Sequence, residues 1–249
     1  MPNLNEPAML VDQSLCVGCE ACTAVCKQVY QLSKGVFRTK MNKKYETASD
    51  MSVINKKACM HCGEAACMMA CPTGALHKNE YGLTDINHSL CIECNYCIAN
   101  CPYGAINFDR SRNRIEKCDL CSNRLFEGEK PLCAEVCTSR IIKFGERNEM
   151  LELAHARVQK LQDQGHPEAN VYGENELDGL RVIYVLQESP EEYGLPADPQ
   201  ISWSLRLWRA VPITPAVIIA GGLILGFNYL YSKKVQGGIK RTKSSTKKE

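Results

Sequence analysis

The residues most able to do chemistry are sixteen cysteines in a chain of 249 residues. They fall in four tight groups. Motif one is Cys16-x2-Cys19-x2-Cys22-x3-Cys26, and motif two is Cys59-x2-Cys62-x4-Cys67-x3-Cys71, followed by Pro72. Motif three is Cys91-x2-Cys94-x2-Cys97-x3-Cys101, followed by Pro102, and motif four is Cys118-x2-Cys121-x11-Cys133-x3-Cys137. A run of C-x2-C-x2-C-x3-C-P is the ligand signature of [4Fe–4S] cubanes. One copy could arise by chance, but four copies that use every cysteine are specific.

The spacing has a physical reason. A cubane presents four iron corners, and each needs one thiolate. Three cysteines spaced by two residues wrap three corners, and the same loop brings backbone N–H groups near the sulfurs, where they tune the reduction potential. The fourth cysteine points away and, in two-cluster ferredoxins, ligates the other cluster, so the motifs work in pairs. The gap from Cys71 to Cys91 resembles that between the halves of a bacterial ferredoxin. Motifs two and three are then natural partners, leaving one with four. The expected sets are Cys59, Cys62 and Cys67 with Cys101; Cys91, Cys94 and Cys97 with Cys71; Cys16, Cys19 and Cys22 with Cys137; and Cys118, Cys121 and Cys133 with Cys26. A competing scheme pairs one with two and three with four. Motifs one and four carry Lys27 and Thr138 where the others carry proline, a departure expected to alter local turns around Cys26 and Cys137. Gly74 and Gly104, two residues after the prolines, suit tight turns.

Other readings of the cysteines fare worse. Disulfide frameworks usually join cysteines distant in sequence, and Met1 to Ser14 lacks the features of a secretory signal. Cys₄ zinc sites explain pairs of C-x2-C, but not the third cysteine two residues on and the fourth three further. A zinc-stapled scaffold is the remote alternative. The net charge of +2, with sparse aromatics and no basic stripe, argues against nucleic acid as a partner. No G-x-G-x-x-G, P-loop or nucleophile elbow occurs, so no catalytic residue is expected. Glu191 and Glu192 read as solvated.

The elements that must position these cysteines are short. Residues 1–15 read as an irregular lead-in, and 1–145 as the region that carries all four clusters. Segment 146–200 follows as a helix, a strand and a connector. Asn148 to Gln164 is amphipathic, with Met150, Leu151, Ala154, Val158 and Leu161 at helical spacing, and Gly165 is a plausible stop. Arg181 to Leu186 reads as a buried strand, and residues 187–200 as an extended connector. Segment 201–232 reads as a transmembrane helix with aromatic flanks. Its centre, Ala210 to Ser232, has no formal charge and as a helix would span about 34 Å, enough for a bilayer core. Trp203, Trp208, Tyr229 and Tyr231 flank it as an aromatic belt would. Arg206 and Arg209 precede it, while the basic tail 233–249 holds Lys233, Lys234, Lys240, Arg241, Lys243, Lys247 and Lys248. That asymmetry puts the tail in the cytoplasm and the cysteine-rich body on the outer, periplasmic side of the cell (inner) membrane.

Two histidines invite attention. His61, between Cys59 and Cys62, reads as a half-exposed loop residue, with cluster tuning as the functional alternative. His155 reads as polar surface. No histidine lies between Ala210 and Ser232, so any haem must belong largely to a partner.

Together the four motifs resemble the four-cluster ferredoxin subunits of molybdopterin oxidoreductases. The stretch Glu149 to Leu161, Val171-Tyr-Gly173, Val182 to Leu186 and Tyr193-Gly-Leu-Pro-Ala-Asp-Pro199 are similar to the beta subunits of membrane-bound formate dehydrogenases of the nitrate-inducible type. The iron–sulfur subunits of one membrane hydrogenase class are also similar. The resemblance favours pairing one with four and two with three. It implies an α+β fold of two ferredoxin-like 2[4Fe–4S] modules related by a pseudo-twofold, plus one C-terminal transmembrane helix. It also implies a non-catalytic relay in a respiratory hetero-oligomer, with electrons arriving from a large Mo/W-pterin subunit that oxidises formate and leaving through a cytochrome b subunit to quinone. Export of the folded chain with a twin-arginine-bearing partner would reconcile cytoplasmic cluster assembly with an outer location. The alternative is the same relay in a hydrogenase or another molybdopterin oxidoreductase.

Overall fold

The computed structural model describes residues 4–45, 52–210, 219–229 and 231. The cysteine loops alternate with short elements that fix their ends. β1 (Pro7–Asp12) leads into motif one, and α1 (Ala21–Val29) carries Cys22 and Cys26. β2 (Thr39–Tyr45) and β3 (Ser52–Ala58) form an antiparallel hairpin that delivers the chain to Cys59. α2 (Ala66–Met69) holds Cys67, and β4 (Leu76–Lys78) pairs with β5 (Thr84–Ile86) between motifs two and three. α3 (Tyr96–Ala99) holds Cys97, and β6 (Asn107–Asp109) pairs with β7 (Arg114–Glu116) between motifs three and four. α4 (Ser122–Phe126) follows Cys121, and α5 (Leu132–Glu135) holds Cys133. The chain continues through β8 (Ile142–Glu146), α6 (Arg147–Asp163), β9 (Asn170–Tyr172), β10 (Val182–Leu186) and α7 (Trp203–Ala210).

The approaches to motifs one and three are built alike. Asp12 caps a single 3-10 turn over Gln13–Leu15, and Asn87 caps one over His88–Leu90. Each side chain accepts from the serine N–H two residues on, at 3.1 Å for Ser14 and 3.0 Å for Ser89. Such local side-chain bonds divert the backbone from strand into turn, and both turns end at the first cysteine of a motif.

The lead-in expected to be irregular is instead a central strand. A four-stranded sheet runs in the order β8-β1-β10-β9, with β1 parallel to β10 and antiparallel to β8. Ala8, Met9, Leu10 and Val11 are all buried, the continuous apolar run of a strand covered on both faces. Pro7 is tolerated because it opens the strand. α6 covers one face: Met150, Ala154 and Leu161 pack on Ala8, Leu10, Ile183 and Val185. Every residue of β10 is buried, and each such side chain contributes roughly 1.5–3 kcal/mol over an exposed position.

Residues 187–200 are not an extended connector either. They turn back on the body, with Tyr193 and Leu195 buried. The Asn55 amide donates to Tyr193 O at 2.6 Å and the Tyr172 hydroxyl to Pro196 O at 2.7 Å. Buried polar partners of this kind hold an otherwise loop-like segment in place.

Met1–Ser202 forms one compact unit and Trp203–Glu249 a second. In the second, 219–229 are helical, with Ile219, Leu223, Ile224, Leu225 and Phe227 exposed. Among the described residues no helix is long and apolar enough to cross a membrane. Of the expected span Ala210–Ser232, residues 211–218, 230 and 232 lie outside the described residues, as does the basic tail.

Candidate iron–sulfur centres

The four cysteine loops share one backbone device. In each, the residue before the second cysteine is left-handed: Gly18 (φ 65°), His61 (φ 49°), Glu93 (φ 60°) and Leu120 (φ 55°). Left-handed residues inside a tight loop turn successive N–H groups toward one concave side, as in anion-binding nests. The Leu120 N–H lies 3.4 Å from the Cys118 thiol, and the Gly18 N–H is aimed at Cys16. Three of the four positions are not glycine, although this conformation costs an ordinary residue about 1–2 kcal/mol. After Cys71 and Cys101 the Pro-x-Gly-Ala segments repeat a second device. Gly74 and Gly104 are left-handed, and the Ala105 N–H comes within 3.5 Å of the Cys101 thiol.

The loops gather thiols from different motifs. Cys16, Cys19, Cys22 and Cys137 line one cavity. Cys26, Cys118, Cys121 and Cys133 line another. Cys71, Cys91, Cys94 and Cys97 line a third. Cys59, Cys67 and Cys101 are the thiols whose charge reaches Cys62. Cys67 belongs to a core with Ala65, Leu76, Cys97, Ile106 and Ile115, and Cys62 and Cys101 pack against it. Among the described residues no three His, Cys, Asp or Glu side chains converge on a position for one ion. Cys19 and Cys94 are exposed, while at least one thiol in every ring is buried.

Burial dominates the electrostatics. It pushes Cys26 up to about 12, with help from Cys121 and Cys133, and pushes Cys67 up to about 12, with help from Cys59. Cys97 and Cys133 rise to about 11 for the same first reason. Cys62 and Cys118 are driven well above the usual thiol range. Four thiolates around one cavity repel one another, so they can be held ionised together only by positive charge between them. Two thiols shift the other way. At Cys71 burial pushes up, but N–H groups of Leu76, Thr73 and Ala75 and the Thr73 hydroxyl outweigh it. Cys19 is lowered by the Ala21 N–H and then the Thr138 hydroxyl.

The residues therefore fit a cubane: rings of four thiols around a cavity, N–H groups turned inward, and buried polar atoms awaiting a partner. His61 is one of these. It is fully buried, and neither ring nitrogen has a hydrogen-bond partner in the described structure. The expectation of a half-exposed loop histidine is thus corrected. The cover comes from loop 177–181: Gly63 N–H donates to Gly179 O at 2.7 Å, Glu64 N–H to Leu177 O at 2.7 Å, and Arg181 N–H to Met60 O at 3.0 Å. Burial and the charges of Lys117, Lys78, Lys56 and Arg181 hold its imidazole well below the ordinary range. His155 is exposed and 3.0 Å from Glu174.

Other contributors escape sequence reasoning. Lys56 on β3 is buried and lines both the Cys16 and the Cys118 cavities. Burial lowers its amine's affinity for a proton, but Cys133, Tyr184, Cys118 and Cys22 more than restore it. Lys117 is also buried, its ammonium held by the carbonyls of Thr84 and Cys118. Where proline is absent, Lys27 donates to Ser33 O at 2.8 Å and Val36 O at 3.2 Å, which pins the loop after α1. A lysine on a strand such as β3 gives no sequence signal of such a role, because its pattern matches an ordinary solvated strand.

Two family models, each described as a 4Fe-4S dicluster domain, match residues 15–75 and 50–147. The chain is 36% identical to the iron–sulfur subunit of nitrate-inducible formate dehydrogenase of Escherichia coli (strain K12), covering 90% of this chain and 85% of that one. It is 35% identical to the formate dehydrogenase iron–sulfur subunit of Haemophilus influenzae, covering 88% and 78%. The electron transfer subunit of thiosulfate reductase of Salmonella typhi is 33% identical, covering 58% of this chain and 78% of its own length.

Proposed function

Since the chain belongs to the family of formate dehydrogenase iron–sulfur subunits, we propose that it relays electrons within a membrane-bound respiratory formate dehydrogenase. It is an electron-transfer subunit and not the catalytic one, and its cofactors are four [4Fe–4S] clusters. When bound, such clusters take up and release single electrons. The observation that carries the reading is the gathering of thiols from two motifs around each shared cavity.

The proposed ligand sets are Cys16, Cys19, Cys22 and Cys137; Cys118, Cys121, Cys133 and Cys26; Cys59, Cys62, Cys67 and Cys101; and Cys91, Cys94, Cys97 and Cys71. The chain's own residues supply the thiolates, aim N–H groups at the sulfurs and exclude water from the inner rings. The exposed Cys19 and Cys94 mark the two rings nearest solvent, which we take as the ends where electrons enter and leave.

The donor would be a large Mo/W-pterin subunit and the acceptor a cytochrome b-type membrane subunit that reduces quinone. The charge-free stretch Ala210–Ser232 and the exposed apolar helix 219–229 support an anchor in the lipid bilayer. The basic tail supports a cytoplasmic C-terminus with the cluster body on the periplasmic side. The thiosulfate reductase relative matches only 58% of this chain, so the remaining part favours the formate branch over another oxidoreductase.

Purification of the intact complex tests this. A co-purifying formate-oxidising Mo/W subunit, about sixteen irons and as many acid-labile sulfides per chain are expected. A hydrogenase or reductase large subunit would move the relay to another enzyme, and stoichiometric zinc in place of iron would end the cluster reading. A reporter fused after Glu249 that works only in the cytoplasm tests the orientation.

A further inference from the structure

Of the residues that line the three cysteine-ringed cavities described above, Lys56 is the one shared by two, that of Cys16, Cys19, Cys22 and Cys137 and that of Cys26, Cys118, Cys121 and Cys133. It is 1% exposed. Its backbone is fixed: the Tyr184 hydroxyl donates to Lys56 O at 2.6 Å, and its neighbour Asn55 bonds Gln13 and Tyr193. Its amine differs from that of the other buried lysine. Lys117 is satisfied by two carbonyls, whereas Lys56 lines the cavities of two cysteine rings. A buried ammonium is costly unless an opposite charge faces it. The groups that face this one are Cys22 on one side and Cys118 and Cys133 on the other, together with Tyr184.

We infer that Lys56 is a shared counter-charge for the two clusters of motifs one and four, raising both reduction potentials and easing electron transfer between them. The inference rests on the proposed ligand sets. A positive charge held in low dielectric favours the more negative, reduced state of whatever it faces. Because one ammonium serves both rings, it stabilises the added electron on either side and leaves little electrostatic step between them. The transfer it attends moves one electron from donor ring to acceptor ring. No bond forms or breaks, and Lys56 keeps its proton.

The test is a potentiometric EPR titration of the intact complex, comparing the unmodified chain with Lys56→Met, Lys56→Gln and Lys56→Arg, with iron and acid-labile sulfide measured on each. The neutral variants are expected to shift the reduction equilibrium of two clusters together toward the oxidised form. A tenfold shift is about 59 mV for a one-electron couple. The other two clusters keep their potentials, and Lys56→Arg keeps all four. If Lys56→Met fails to load clusters, Lys56→Gln against Lys56→Arg decides. Unmoved potentials with full cluster content overturn the inference, as does an arginine variant that shifts as far as glutamine, or four clusters shifting equally. Absence of the clusters from the unmodified chain would instead overturn the ligand sets on which it rests.

Discussion

The hydroxyl of Thr138 lies 3.7 Å from the thiol of Cys19, across the chain from motif four to motif one. Thr138 stands where motifs two and three have proline. The departure thus has a structural consequence: the position that elsewhere fixes a turn here offers a hydrogen bond to a thiol of the partner motif, and it helps hold Cys19 below its usual range. A hydrogen bond to a ligand sulfur favours the reduced cluster. Thr138→Val is therefore expected to lower the potential of the cluster on Cys19 by up to about 60 mV, taking about 0.5–1.5 kcal/mol for the bond at about 59 mV per tenfold. Thr138→Ser restores it. Redox titration followed by EPR measures both.

The glycines should not be equivalent. A Cβ at Gly63 would meet the Asp178 carbonyl oxygen at 2.1 Å, and that backbone belongs to the loop that covers motif two. At Gly18 it would meet Ile54 and Lys43 side chains at 3.1 Å on top of a φ of +65°. At Gly74, with φ +69°, it would meet nothing. Alanine at Gly74 should cost about 1–2 kcal/mol, at Gly18 somewhat more, and at Gly63 the most, with loss of iron. Denaturant titration with iron analysis ranks the three, and equal costs would mean that loop 177–181 does not grip motif two.

This grip explains what can and cannot be read from the sequence. The four motifs are legible because ligand spacing is local, and α6 and β10 because their apolar periodicity is carried within one segment. β1 is not, since its partner β10 begins at Val182, and a short apolar run beside Pro7 has no local mark of a central strand. His61 and Lys56 look like surface polar residues until loop 177–181 and the β10 sheet close over them. Their burial is a long-range fact that no window around Cys59 contains. Leu120 and Glu93 likewise take a left-handed conformation that their residue types do not advertise.

Arg38 ties the motif-four end of the fold together. Its guanidinium bonds Glu116 and Asp119, both at 2.8 Å, and its central carbon Cζ lies 3.9 Å from the centre of the Tyr30 ring. Glu116 is fully buried. Removing one partner of a buried pair strands the other, at about 3–5 kcal/mol. Arg112 and Arg114 also reach Glu116, at 3.5 and 2.6 Å, so Arg38→Met should fall near the lower end, about 3 kcal/mol by chemical denaturation. A change below about 1 kcal/mol, the scale of an exposed pair, would show that the two remaining arginines suffice.

The exchange of fourth cysteines between motifs makes the sharpest prediction. Cys137 lines the cavity of Cys16, Cys19 and Cys22, and Cys26 lines that of Cys118, Cys121 and Cys133. A serine in place of one thiolate should lose or convert the cluster it ligates and leave the others assembled, because each ring draws on its own buried thiols. Cys137→Ser and Cys16→Ser are accordingly expected to abolish or alter the same EPR signal, Cys26→Ser and Cys118→Ser a second one, and Cys94→Ser and Cys71→Ser a third. The Cys94 variant should also slow end-to-end transfer, since the relay loses or alters one of its carriers. Were Cys26→Ser to remove the signal that Cys59→Ser removes, motif one would pair with motif two, and the order of rings along the chain would have to be redrawn.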